Sequence, residues 1–249
     1  MTIKELALRR LEADGAAYFD AASRDAQAEV PGCPGWTVDK LVGHVGRVHT
    51  WATQVVRSRT AEPISSRLFP EGPEDAFELR LSWARERHAE LLDALRGLDE
   101  DEPIWVFLPR SDTGRGAFWL RRQAQELMLH RWDAQQATGA PQPLDAELAA
   151  DGIDELLTLF VAPSASYTTK VASGGETMHV HCTDRDGEWL VRFTPDGLEV
   201  TREHAKGDVA VRGSAEQLYL LLWNRISREG LEVFGDTSLL DGWREHIHV

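Results

Sequence analysis

The chain has 249 residues, with 27 basic against 41 acidic side chains and a formal net charge of −14. Hydrophobic residues make up 42% and charged residues 27%. This is the balance of a globular chain with one or two domains, and it excludes disordered, collagenous and disulfide-scaffold classes. No run of about 18 apolar residues is present, so no transmembrane helix is expected, and no basic patch points to nucleic acid.

In chain order, the first segment, MTIKELALRRLEADG, is charged throughout and has no apolar leader core. It reads as the start of a helix over Thr2–Ala26. A Pro/Gly loop, Val30–Trp36, follows. Thr37 then caps a second helix to about Arg59. A third helix is expected over Pro73–Leu98 and a fourth over Ala117–Thr138, stopped by Gly139. Four long helices suggest a bundle. The Gly139–Pro143 segment is a linker signal, which gives domains 1–140 and 141–249. The first carries a net charge of −4 and the second −10. The second domain opens with a helix over Leu144–Val161. Short strands follow at Thr177–Cys182, Trp189–Phe193, Leu198–Thr201 and Val209–Val211, separated by Asp186-Gly187 and Pro195-Asp196-Gly197 turns. Ser214 and Gln217 form a capping-box signal for a helix to Ile226. A strand at Leu231–Phe234 and a helix over Ser238–His246 complete an α+β domain.

The chemistry concentrates in few places. Glu126 and His130, four apart, share one helix face. They can hold a divalent ion or simply hydrogen-bond each other, and the spacing alone is a weak motif. His44 shares a stripe with Leu41, Val48 and Trp51, which places it against the bundle core. It is either a core histidine or a third ligand, completing a His2Glu site with an open position. Arg122, one turn before Glu126, is either its ion-pair partner or an anchor for an anionic substrate. Asp133 either accepts the ring N–H of His130 or is a solvated helix charge. His179 and His181 share a strand face, as a metal pair or as polar surface. His49, His88, His204, His246 and His248 lack comparable company. Cys33 and Cys182 stand outside any CxxC, and without a leader they read as reduced thiols, Cys33 as a small buried residue.

Two segments then carry a resemblance. The run from Pro34 through Trp36 and His44 to Gly46 is similar to the signature of the mycothiol-dependent maleylpyruvate isomerase family, a branch of the DinB-like helical bundles. Glu126-Leu127-Met128-Leu129-His130-Arg131-Trp132-Asp133 resembles the family's second motif. Val209–Leu218, Leu221–Arg225 and Leu231–Asp236 resemble its C-terminal domain, so nearly the whole chain is covered. The resemblance implies an N-terminal four-helix DinB-like bundle followed by a smaller α+β domain. It also implies a divalent metal, zinc in the usual case, on His44, Glu126 and His130, with mycothiol as thiol cosubstrate. Arg225 is implied as a contact for substrate carboxylates; Arg122, from its place beside Glu126, is the second candidate catalytic cation. Family members often carry Gly where this chain has Asn224.

The implied chemistry follows from the metal, since a thiol bound to zinc is deprotonated and nucleophilic. The thiolate would add to the double bond of maleylpyruvate, permit rotation, and leave to give fumarylpyruvate. The same apparatus suits a mycothiol S-transferase acting on electrophiles, or a non-catalytic metal- or small-ligand-binding protein. The expected partners are mycothiol and a small anionic or electrophilic substrate, without nucleic acid or membrane. The expected setting is a cytoplasmic monomer or small homo-oligomer.

Overall fold

The structure is a computed structural model that describes residues 2–108, 115–139 and 141–248. Parts of the Val106–Gly116 loop and of the Gly139–Pro143 linker therefore lie outside the described residues. The chain divides into two units, residues 1–142 and 143–249, and the fold class is α+β. No helix among the described residues is long and apolar enough to cross a membrane.

The first unit contains α1 (Ile3–Ala22), α2 (Val38–Ser58), α3 (Phe77–Arg96) and α4 (Gly116–Thr138). Thr2 caps α1 through a capping box with Glu5, and the Thr37 side chain accepts from Lys40 at the start of α2. Helix α1 stops four residues earlier than the sequence suggested. Ser23 caps it and Asp25 accepts from the Gln27 amide, which turns the chain. Helix α3 also starts later than expected, because Ala76 offers no side-chain cap and the chain stays extended there.

Contacts reveal the helix directions. Asp39 meets Arg80, His49 meets His88 and Arg57 meets Asp93, so α2 and α3 run parallel. Arg96–Glu12 and Arg85–Phe19 contacts make α3 antiparallel to α1. Lys4 reaches Leu98 and Glu100, and the Glu100 carbonyl accepts from Ala117 at the start of α4, while Arg131 meets Asp14, so α1 and α4 run parallel. This up-down-down-up order requires residues 59–76 to return the length of a helix. That connection carries a short 3-10 turn, Ser66–Leu68, which the sequence reading did not anticipate. Leu11, Leu41, Val45, Ala52, Leu91, Leu95 and Leu127 are fully buried between the helices. Trp83 of α3 lies in a slot bounded by Gly46 and Gly72.

The second unit opens with α5 (Ala146–Glu155), which continues into a π-helical turn, Leu156–Val161, closed by a bond from the Ala162 amide to the Leu157 carbonyl. Helix α6 (Ala165–Val171), absent from the sequence reading, follows. Strands β1 (Thr177–Cys182), β2 (Glu188–Thr194), β3 (Gly197–Thr201), β4 (Val209–Gly213) and β5 (Glu232–Gly235) form one sheet in the order β3-β2-β1-β4-β5. All pairs are antiparallel except β1 with β4. Met178, Val180, Trp189, Val191, Phe193, Val209 and Val211 alternate onto a buried face. The unit's helices pack on that apolar side. His179, His181, Glu188, Leu190, Ala210 and Arg212 belong to the opposite face by the same alternation.

Ser214 and Gln217 form the expected capping box for α7 (Ala215–Leu222). This helix ends four residues before Ile226. Asn224 turns left-handed at φ 59°, and the Asn224 and Arg225 amides donate to Leu221 and Leu220, the pattern of a Schellman stop. A left-handed residue favours Gly, and Asn is the substitute that tolerates it best. The Asn224 departure therefore preserves the local backbone. The last helix, α8 (Ser238–His246), matches its expected span.

A methyl group at Gly46 would collide with the Trp83 ring. Gly46→Ala is therefore expected to destabilise the chain by about 1–3 kcal/mol, despite the ordinary helix gain of Ala over Gly. The measurement is a thermal melt by circular dichroism. An unchanged midpoint would show that the Trp83 slot yields freely.

Candidate functional site

Helices α2 and α4 run antiparallel and face each other along two stripes. His44, Val48 and Trp51 lie on one, and Glu126, Arg122 and Trp119 on the other. At one level Trp51 meets Trp119, with ring centroids 5.0 Å apart, inside a cluster that includes Trp105, Phe107 and Phe118. Two turns along, the aromatic contact gives way to a polar one. His44 Nε2 lies 3.1 Å from Glu126 Oε1, and His130 Nε2 lies 3.4 Å from the same oxygen. The structure thus brings His44, Glu126 and His130 together, with one ligand atom from each within 4.8 Å of the others.

The surroundings fix these groups. Arg122 is buried and donates to Glu126 Oε2 at 3.1 Å, so the ion-pair alternative is realised and Oε1 is left to the two imidazoles. Asp133 is fully buried and accepts from His130 Nδ1 at 3.0 Å. It is not a solvated charge. Arg47 donates to His44 Nδ1 and also pairs with Glu71, which Lys40 binds as well. Trp36 packs its ring 5.0 Å from that of His44. Cys33 is half-buried rather than buried, and its thiol turns toward Asp133 Oδ2 at 3.7 Å. The 30–37 loop thus touches both the His44 ring and the carboxylate behind His130. Arg225 belongs to the second unit, where it follows the left-handed Asn224 and donates to the Trp223 carbonyl at 2.8 Å.

The electrostatics are strongly coupled. Burial would raise Glu126. The hydrogen bonds from His130 and His44, then the charges of His130 and Arg122, hold its carboxyl well below the usual carboxylate range. Burial would lower His130. The hydrogen bonds and charges of Asp133 and Glu126 outweigh it and raise the imidazole to about 9. A charged carboxylate between two imidazoles, one of them oriented by a second carboxylate, is a donor set suited to a divalent cation.

Sequence reasoning missed two other groupings. His49 and His88 lie in the bundle interior with ring centroids 5.2 Å apart. Both His49 ring nitrogens and His88 Nδ1 are buried without a hydrogen-bond partner. Burial, then the charge of His88, keeps His49 well below its ordinary value, and burial takes His88 down to about 4. In the second unit, His179 and His181 do not simply make a polar face. Glu188 and His204 join them in a four-residue cluster.

Comparison with known proteins follows the same division of the chain. Residues 8–135 match the family model of the mycothiol maleylpyruvate isomerase N-terminal domain, and residues 147–242 match that of the MDMPI C-terminal domain. Two solved structures align with 94% of this chain and 93% of theirs, at 16% identity and a TM-score of 0.60. They are the crystal structures of the mycothiol-dependent maleylpyruvate isomerase and of a histidine mutant of it. At that identity the likeness is one of fold. No curated protein matches the chain.

The buried His88 makes the fold acid-sensitive in a defined window. Unfolded, it takes up a proton near pH 6.5; folded, it does so only near 4. Its penalty is absent above pH 6.5 and grows as pH falls toward 4, reaching about 3 kcal/mol. Urea unfolding at pH 7 and pH 5 should show this loss, and His88→Leu should make it shallower. Equal slopes for the two proteins would mean that His88 is not held neutral.

Proposed function

Because the chain belongs to the mycothiol maleylpyruvate isomerase family, we propose that it is a mycothiol-dependent enzyme holding a divalent metal, zinc in our reading, on His44, Glu126 and His130. Its reaction in this reading is the cis–trans isomerisation of maleylpyruvate to fumarylpyruvate, or the same addition chemistry on a related electrophile. The observation that carries the reading is the convergence of two imidazoles from different helices on one carboxylate oxygen. The donor set fits: two nitrogens, one oxygen, and Asp133 to fix the tautomer of His130. A divalent ion held there supplies the positive charge that keeps a bound thiol in its nucleophilic thiolate form.

The chain's own residues do the rest. Arg122 holds Glu126 by one oxygen, so the carboxylate keeps its orientation when the other is engaged. Metal binding requires His130 to give up a proton that Asp133 and Glu126 retain in its absence. Trp36 and Cys33 close the 30–37 side of the site against His44 and Asp133. For Arg225 the support is sequence resemblance alone: a guanidinium that meets substrate carboxylates.

His44→Ala is expected to lose one equivalent of bound metal per chain and all thiol-dependent turnover, while its helical circular dichroism persists. Elemental mass spectrometry of the untagged protein reads the metal. Full retention would overturn the trio. Supplying mycothiol with maleylpyruvate decides between reactions, because isomerisation returns the free thiol whereas S-transfer leaves a stable thioether. Arg225→Gln is expected to raise KM for the dianionic substrate by about 10-fold or more with a smaller change in kcat. An unaltered KM would remove Arg225 from the substrate contact.

A further inference from the structure

The second unit presents a donor set of its own. On the sheet face opposite the apolar core, His179 and His181 of β1 stand two residues apart and so point the same way. The β1–β2 register places Glu188 directly opposite His181. Strand β3 lies at one edge and β4 beyond β1, so residues 202–208 must pass β2 and β1 to join them. His204, on that crossing, comes down on the pair. Its ring centroid lies 5.4 Å from that of His179 and 6.0 Å from that of His181.

All three imidazoles converge on one carboxylate. His204 Nδ1 lies 2.7 Å from Glu188 Oε2, His181 Nδ1 3.1 Å from Oε1, and His179 Nε2 3.4 Å from Oε2. His179 is 5% exposed, and its buried Nε2, 3.4 Å from Glu188 Oε2, makes no well-formed hydrogen bond. The carboxylate reaches His179 only at that distance, and a buried ring nitrogen without a well-formed hydrogen bond is costly. A divalent cation among the four would satisfy every donor at once.

We propose that His179, His181, Glu188 and His204 form a second metal site, independent of the cluster in the first unit, that takes zinc or another borderline divalent ion. Imidazole nitrogen with one carboxylate oxygen is the ligand chemistry of such ions. Four protein ligands fill a tetrahedral shell, so the site is structural: it ties the 202–208 crossing to the β1–β2 hairpin. The ligand atoms lie within 4.8 Å of one another. Donors around tetrahedral zinc stand about 3.4 Å apart. His204 is largely exposed on its connection, so it can close the difference by a change of rotamer.

The test is zinc titration of the untagged full chain against a chromophoric chelator. His44→Ala, His204→Ala and the double variant H181Q/H204A are compared with the unmodified protein, and circular dichroism confirms their folding. The expected result is one zinc retained by His44→Ala but absent from the combined H44A/H181Q/H204A chain. Zinc should also slow amide exchange across residues 202–208 in the unmodified chain and not in His204→Ala. If His44→Ala binds no zinc, or if H181Q/H204A binds as much and as tightly as the unmodified chain, the second site is overturned. Failure of the first-unit assignment reads differently: zinc would then be lost with His181 and His204 and unaffected by His44→Ala.

Discussion

A single carboxylate between two imidazoles organises the bundle. Glu126 is charged in a largely dry interior, which is tolerated only because His44, His130 and Arg122 surround it. That requirement fixes the register of α2 against α4, since a slip of one turn on either helix would strand the carboxylate. It also recruits residues that touch no ligand atom. Asp133 must balance His130, and the 30–37 loop must place Cys33 and Trp36 where they cover Asp133 and His44. The packing and the electrostatics thus describe one object, a preformed charged centre whose parts hold one another in place.

One layer deeper, the bundle changes character. His49 sits five residues after His44 on the same helix, yet it faces His88, whose own ring lies against Gly15. The two histidines behave as packing groups that happen to carry nitrogens. That His130 is pushed up while His49 and His88 are pushed down follows from which partners the tertiary structure supplies, not from residue type.

Much of this was legible beforehand. The four long helices, the α+β second half, the strands and the Ser214 capping box follow from periodicity and turn chemistry, and the His44–Glu126–His130 trio follows from helix-face spacing with the motif resemblance. What sequence could not supply was set by distant partners. The end of α7 depends on a left-handed Asn224 whose side-chain amide donates to the distant Ile247 carbonyl. The parallel course of α2 and α3 leaves no trace in amphipathic stripes. The His204 contact needs the β3–β4 crossing to be known. Glu188 needs the length of the β1–β2 connection: a tight Asp186-Gly187 turn would set Glu188 opposite Arg185, whereas residues 183–187 form the loop and set it opposite His181.

The up-down-down-up order has a consequence for how the protein is made. Helices α1 and α4, first and last in the unit, pack together extensively, and the Asp14–Arg131 pair between them is almost fully buried. A ribosome releases α1 long before its main partner exists. Until α4 emerges, the apolar stripe of α1 lacks its main cover and Asp14 has only Arg10 of its own helix as a partner, and the chain must close a loop spanning most of the unit to complete the packing. Such long-range closure slows folding relative to a bundle of sequential neighbours. The nascent N-terminal helices are therefore the part of this protein with most to gain from a chaperone.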